Sequence, residues 1–229
     1  MGTEPGLRER KKKRTRQLLV DTAWRLFAER GFDAVPVSEI AREADVSEAT
    51  VFNYFPTKED LIYGRMEEFE EELLSAIRDR RPGESILDGF KRFVLQPRGH
   101  LAADDDQAVE ALATFARVIT SSPALIAREQ QVFDRYTRSL AALIAEETGA
   151  AEDVTPWVAA NALMGVHRGL IDYVRRRVLA GARNPRLARD VRVQGEQAID
   201  LLQRGLGSYG KKPKVARRNS PAAAGNNRA

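Results

Sequence analysis

The stretch VSEIAREADVSEATVFNYF, residues 37–55, decides how the rest of the chain is read. Ile40, Ala41 and Ala44 share one helical face at three- and four-residue spacing, and Ser38 is placed to cap that short helix. Asp45 falls where the chain must bend, and Asp is among the few non-glycine residues that tolerate a left-handed backbone. Ser47 offers a second cap, with Glu48 in the first turn, where the helix dipole favours an acid. Val51 and Phe55 give the second helix an inward face; Thr50, Asn53 and Tyr54 are left outward, and Pro56 ends it. Two short helices, a tight turn and an exposed polar face on the second helix make the helix-turn-helix pattern, whose second helix enters a DNA major groove. An ordinary helical hairpin is the alternative, so the flanks must decide.

Immediately upstream lies RERKKKRTR, residues 8–16, with seven basic residues and one acid. An amphipathic segment follows from Gln17 to Arg30, with Leu19, Ala23, Leu26 and Phe27 on one stripe and Gly31 as a C-terminal stop. Downstream, Thr57 caps one long helix that the apolar spacing carries from Lys58 to about Arg80. The order helix, Gly-Phe, V-x-x-I-A-x-x-A, V-S-x-x-T-V-F-x-Y-F, P-x-K-E-x-L over about residues 14–62 resembles TetR-family bacterial transcriptional regulators. Two positions depart from that family's pattern: Asp45 stands where Gly is usual, and Phe52 stands where Tyr is usual, so a phenolic phosphate contact is absent.

The resemblance implies an all-α protein: an N-terminal three-helix DNA-binding domain, then a helical ligand-binding and dimerisation domain, about nine helices in total. The corresponding boundaries are a basic arm at 1–16, the helix-turn-helix domain at 17–60, the effector and dimer domain at 61–206 and a basic disordered tail at 207–229. Thr50 and Asn53 are the candidate base readers, since Thr offers a methyl and a hydroxyl and Asn pairs with adenine through two hydrogen bonds. Ser38, Ser47, Tyr54 and Lys58 are expected to hold phosphates, with Lys12, Lys13 and Arg14 adding charge from the arm. Double-stranded operator DNA, a second copy of the chain and a largely apolar small-molecule effector are the implied partners. The implied role is a repressor released from its operator by that effector. An architectural DNA binder without an effector, using both cationic ends, is the alternative.

Composition agrees with a folded domain. The chain has 229 residues, 43% of them hydrophobic and 31% charged, and contains no cysteine, which excludes disulfides, thiolate catalysis and zinc-thiolate sites. No apolar run reaches membrane-spanning length, so the expectation is a cytoplasmic protein without a membrane partner. Net charge is +4, but residues 1–7 carry −1 and residues 8–16 and 207–229 carry +6 each, leaving −7 on residues 17–206. An acidic body with cationic ends attracts nucleic acid only locally.

Beyond residue 80 the chain reads as further helices. Ser85 opens a short one with Ile86, Phe90, Phe93 and Val94 inward, and Asp104-Asp105-Asp106 caps the next, through Leu112, Phe115 and Ile119. Ser122-Pro123, Thr155-Pro156 and Asn184-Pro185 each combine a cap with proline at the first helical position. The helix from Pro156 to Leu179 is apolar around much of its circumference and carries Gly165 and Gly169, so it needs more than one neighbour. A two-fold four-helix contact between the last two helices of two subunits would supply it. Residues 113–125 are similar in pattern to regulators of the mycofactocin-associated subgroup, which implies acyl-CoA-type effectors.

No nucleophile-base constellation, phosphate loop or metal-ligand spacing is present, so neither enzyme activity nor a cofactor or metal is expected. The glutamates at 67, 68 and 70–72 read as a solvated helix face, and the Asp triplet lacks the calcium-loop spacing. A cavity between bundle helices is the usual place for an apolar ligand. Its candidate lining is Phe69, Phe90, Phe93, Phe115, Phe133, Tyr136, Trp157 and Met164, with Arg117 and His167 as polar readers.

Overall fold

The computed structural model describes residues 6–64, 66–102, 106–182 and 186–205. Among the described residues there are ten α-helical segments and no strand. They become nine, the number the sequence suggests, if the two segments flanking residue 65 are counted as one. Asp104, Asp105, Asn184, Pro185 and the tail from 206 onward lie outside the described residues.

Helix α1 runs from Leu7 to Arg30. Its stripe of Leu19, Ala23, Leu26 and Phe27 is buried as the spacing requires. The basic stretch is not a separate arm: residues 8–16 are the first turns of α1, because Arg and Lys are strong helix formers and neither Gly nor Pro interrupts them. Gly31, at φ 84°, ends the helix.

α2 (Val37–Glu43) and α3 (Glu48–Tyr54) are the two short helices. Asp45 takes φ 54°, the one non-glycine positive φ among the described residues, and makes the turn between them. Ser47 caps α3, accepting the Thr50 N–H at 3.1 Å. Ser38 does not cap α2. Pro36 occupies the cap position, where its fixed φ suits the entry and it has no N–H to satisfy, so Ser38 sits inside the first turn.

Of the single long helix expected after Lys58, the described residues show α4 (Asp60–Tyr63) and α5 (Met66–Arg78), on either side of residue 65, which lies outside the described residues. Gly64 lies so close to Phe55 that an added Cβ would fall 2.6 Å from its ring, and its carbonyl accepts from Arg16 Nη2 at 2.6 Å. Thr57 is not the capping acceptor either. Its N–H and hydroxyl both donate to the Asp60 carboxylate, at 3.1 and 2.9 Å.

α6 (Ile86–Val94) begins with a reciprocal Ser85–Asp88 capping box. A 3₁₀ turn at Gly99–Leu101 leads to α7 (Asp106–Thr120), α8 (Pro123–Thr148), α9 (Thr155–Leu179) and α10 (Arg186–Arg204). Ser122 does precede α8 with proline next, but its hydroxyl donates to Asp33 at 2.9 Å rather than capping. Val154 takes the cap position of α9, so Thr155 falls inside the helix. α9 packs between α7, α8 and α10. One continuous apolar core extends from Leu19 in α1 through Phe55, Ile77, Phe90 and Tyr136 to Ile199 in α10. The N-terminal helices and the body therefore share packing rather than meeting through a linker.

Candidate nucleic-acid interface and central cavity

The sequence of α3 sets its two faces. Val51 and Phe55 are buried, while Glu48, Ala49, Phe52 and Asn53 are exposed and Thr50 and Tyr54 are half-buried. Asn53 makes no side-chain hydrogen bond among the described residues, so its amide is free to donate and accept. The Thr50 hydroxyl is already 2.9 Å from Ser47 Oγ, so it serves the cap as much as the outward face. The first turns of α1 lie beside the end of α3, and Arg8, Lys11, Lys12, Thr15 and Tyr54 line a shallow groove between them. Lys12 and Tyr54 are thus brought together; Lys13, Arg14 and Ser38 are exposed but stand outside that groove.

Two cations at this end turn inward. Arg16 donates to the Tyr54 carbonyl at 3.2 Å and to the Gly64 carbonyl, and its guanidinium lies 4.5 Å from the Phe55 ring centroid. It ties α1 to the ends of α3 and α4. Lys58, read from the sequence as a phosphate ligand, donates to the Phe32 carbonyl at 2.6 Å and sits 4.1 Å over the Phe32 ring. Burial pushes its pKa below the usual lysine value, with Asp33 and Glu59 opposing that shift. Both cations are held by protein groups: the ammonium of Lys58 shares the Phe32 carbonyl with the Val35 N–H.

In the body, a cavity of about 260 Å³ opens between α5, α6, α7, α8, α9 and α10. Four of the expected residues line it: Phe69, Phe93, Phe115 and His167. The other six do not. Phe90 and Met164 are fully buried in the core, and Phe133 and Tyr136 pack behind Phe69 and His167 instead of facing the space. Trp157 is 47% exposed at the start of α9. Arg117 points to solvent and is held by Glu110 at 2.7 Å and Thr114 at 2.8 Å. Each helix here has neighbours on several sides, so an inward residue is assigned to the core or the cavity by packing that periodicity does not encode.

The polar groups of the cavity are Gln96, Arg98, Glu129, His167 and Arg175. His167 stacks on Phe69 at 4.7 Å, and its pKa is pushed down to about 4 by burial, then by Arg98 and Arg168. The imidazole is therefore neutral at ordinary pH. Arg175 forms a two-pronged ion pair with Glu129, with Nη1 to Oε2 at 2.7 Å. Burial opposes the charge on Arg175, but the hydrogen bonds and attraction of Glu129 outweigh it and its pKa is raised. Arg98 lies 3.8 Å over the Phe93 ring, donates to the Phe93 carbonyl and reaches the exposed Glu72 at 3.4 Å. Burial lowers its pKa, and the pairing with Glu72 offsets that only in part.

Residues 19–63 match the family described as bacterial regulatory proteins, tetR family. The N-terminal domain is that of the TetR family. The chain is 28% identical over 151 residues to the HTH-type transcriptional regulator TcmR of Streptomyces glaucescens, covering 65% of this chain and 67% of that protein. It is 51% identical over 47 residues to the HTH-type transcriptional regulator LuxR of Vibrio harveyi, which is 20% of this chain and 23% of LuxR. Among solved structures it shares the fold of NalD, the secondary repressor of the MexAB-OprM multidrug efflux pump in Pseudomonas aeruginosa. That match has a TM-score of 0.54 at 20% identity and covers 84% of this chain and 97% of NalD. The relatives it matches are named as transcriptional regulators, and among the described residues no single helix is long and apolar enough to cross a membrane.

Several bonds join the N-terminal TetR-family domain to the body. Arg128 of α8 grips Asp60 of α4 with Nε at 3.0 Å and Nη2 at 2.7 Å. Tyr63 donates its hydroxyl to the Leu125 carbonyl at 3.0 Å, and burial, with Glu129 adding to it, raises its pKa. Trp24 of α1 packs against Phe115, a cavity wall, with ring centroids 5.4 Å apart. Glu70, read as part of a solvated acidic face, accepts from Ser139 at 2.6 Å and pairs with Arg135 at 2.9 Å. Sequence reasoning missed Arg98, Glu129 and Arg175. The signal for two of them was present: Glu129 falls between Leu125 and Val132, and Arg175 between Ile171 and Val178, each a charge on an apolar stripe.

Proposed function

We propose that the protein is a homodimeric repressor whose operator affinity is lowered when a small, largely apolar molecule occupies the central cavity. The observation that carries this reading is the adjacency of cavity and latch. Glu129 lines the cavity, and its chain neighbour Arg128 holds Asp60 of the reading end. Phe115 on another wall touches Trp24 of α1. A ligand that displaces Phe115 or the Glu129–Arg175 pair moves both supports of the DNA-reading helices. By linkage, operator DNA weakens effector binding by the same factor, a coupling typically of ~1–3 kcal/mol.

In the bound dimer α3 of each subunit lies in a major groove, with half-sites ~34–36 Å or a multiple apart. Asn53 and Thr50 face bases; Ser47, Tyr54 and Lys12 contact phosphates, with Lys13 and Arg14 adding longer-range charge. The second subunit covers the outer face of α9. There an added Cβ at Gly165 or Gly169 would meet nothing within 4 Å, and Val154, Trp157 and Val158 are exposed. For the effector, an apolar body among Phe69, Phe93 and Phe115 with an acidic group near Arg98 fits the lining; an acyl-CoA-type compound would place its acyl end there.

The test is to select an operator from a random duplex pool, then screen acyl-CoA and aromatic compounds for release. Phe115→Ala should retain operator binding and lose the response. A compound that stabilises the protein through the cavity but leaves operator affinity unchanged would refute the coupling. Sequence-independent, non-saturating DNA binding would support the architectural alternative.

A further inference from the structure

Ala49, Phe52 and Asn53 stand at i, i+3 and i+4 on α3 and are all exposed, opposite the buried Val51 and Phe55. From Ser47 to Phe55 there is no Arg, Lys, Gln or His. A helix presenting this face to a major groove lacks the forked or extended cation that reads guanine through O6 and N7. It offers a carboxylate at Glu48, a methyl at Ala49, an amide at Asn53 and a phenyl ring 45% exposed at Phe52. Among the described residues Phe52 pairs with no other aromatic ring. Tyr54, next in the chain to Asn53, lines the groove formed with Arg8, Glu9, Lys11 and Lys12, whose three cations against one acid are complementary to phosphates. Of the four bases only thymine carries an apolar group on its major-groove edge, the 5-methyl, and Phe is one of the side chains that contact it.

Resting on the DNA-reading role proposed above for α3, we infer that Phe52 reads the 5-methyl group of a thymine in each half-site. Asn53 reads adenine beside it, so recognition depends on thymine methyls rather than on guanine. Where the family pattern has Tyr, the ring here gives up a phosphate hydrogen bond and becomes a specificity-determining apolar contact.

The experiment uses the full chain and an operator selected from a random duplex pool. Each thymine is replaced in turn by deoxyuridine, which removes the methyl and leaves every hydrogen-bonding edge intact. Wild type should lose roughly four-fold in affinity, the worth of one buried methyl-sized group, at one thymine per half-site. Phe52→Ala should bind the thymine operator more weakly and lose nothing further at that position, while Phe52→Leu should keep part of the discrimination. Circular dichroism checks that the variants fold, and Phe52 is on the outside. Uracil sensitivity that is equal in wild type and Phe52→Ala overturns the inference, as does a bound operator with no sensitive thymine. A pool yielding no specific duplex overturns the DNA-reading role of α3 and this inference with it.

Discussion

Replacing Arg16 by Met separates a cation that holds the fold from those that meet DNA. The substitution keeps the apolar stem and removes the guanidinium that bonds the Tyr54 and Gly64 carbonyls and covers Phe55. Hydrogen bonds from a charged donor contribute ~1.5–3 kcal/mol, and the ring contact about another 0.5–1 kcal/mol. The expected loss is ~2–4 kcal/mol. For a chain of this size that lowers the thermal midpoint by roughly 5–12 °C. Thermal unfolding followed by circular dichroism measures the shift, and fluorescence anisotropy with labelled operator at several salt concentrations measures the DNA side. Each phosphate contact contributes ~0.9 to the slope of log affinity against log salt. Arg16→Met should leave that slope unchanged below the unfolding range, whereas Lys12→Gln should flatten it by about one with little change in midpoint. An Arg16→Met protein with an unaltered midpoint and a flattened slope would show that Arg16 is a phosphate ligand and that the clamp does not matter.

Other outcomes follow from the same structure. Lys58→Met should leave the salt slope intact, because its ammonium faces the Phe32 carbonyl and ring rather than solvent; a flattened slope would restore it to the DNA contacts. Ser47→Ala should destabilise α3 by about 1 kcal/mol through loss of its cap and lower operator affinity, measured by urea unfolding and anisotropy. His167 has a folded pKa of about 4 against 6.5 for the free side chain, so its neutral burial adds stability above pH 6.5 that is lost as pH falls towards 4. That loss, on the order of 2–3 kcal/mol, should be smaller in His167→Phe when urea midpoints are compared across the range. Arg117→Ala should leave effector response unchanged, since Arg117 pairs outward with Glu110; a lost response would put it back in the cavity.

Local chemistry was legible in the sequence wherever one short segment settled the matter. Ser47 caps α3, Asp45 takes the left-handed turn and Ile40, Val51 and Phe55 are buried because each outcome depends on neighbours within a few residues. Features that the local sequence does not reveal depend on distant partners. Arg16 sits three residues before Leu19 on the buried stripe of α1, but its acceptors are 38 and 48 residues away. Lys58 turns inward to the carbonyl and ring of Phe32, in the loop preceding α2 and 26 residues away. In the body, Trp157 and Arg117 have the residue types of a binding site, yet helix packing puts them outside, and the charged pair Glu129–Arg175 takes the inner position.

The contact between Trp24 and Phe115 gives the molecule an optical gauge of its own. The chain has two tryptophans, and the second, Trp157, is half in solvent. In a Trp157→Phe background all indole emission arises from one ring, which leans on a wall of the central space and belongs to the helix whose first turns are cationic. Filling that space from inside, or docking DNA from outside, then registers as a change of colour or brightness at a single site, so both events can be titrated without attaching a dye.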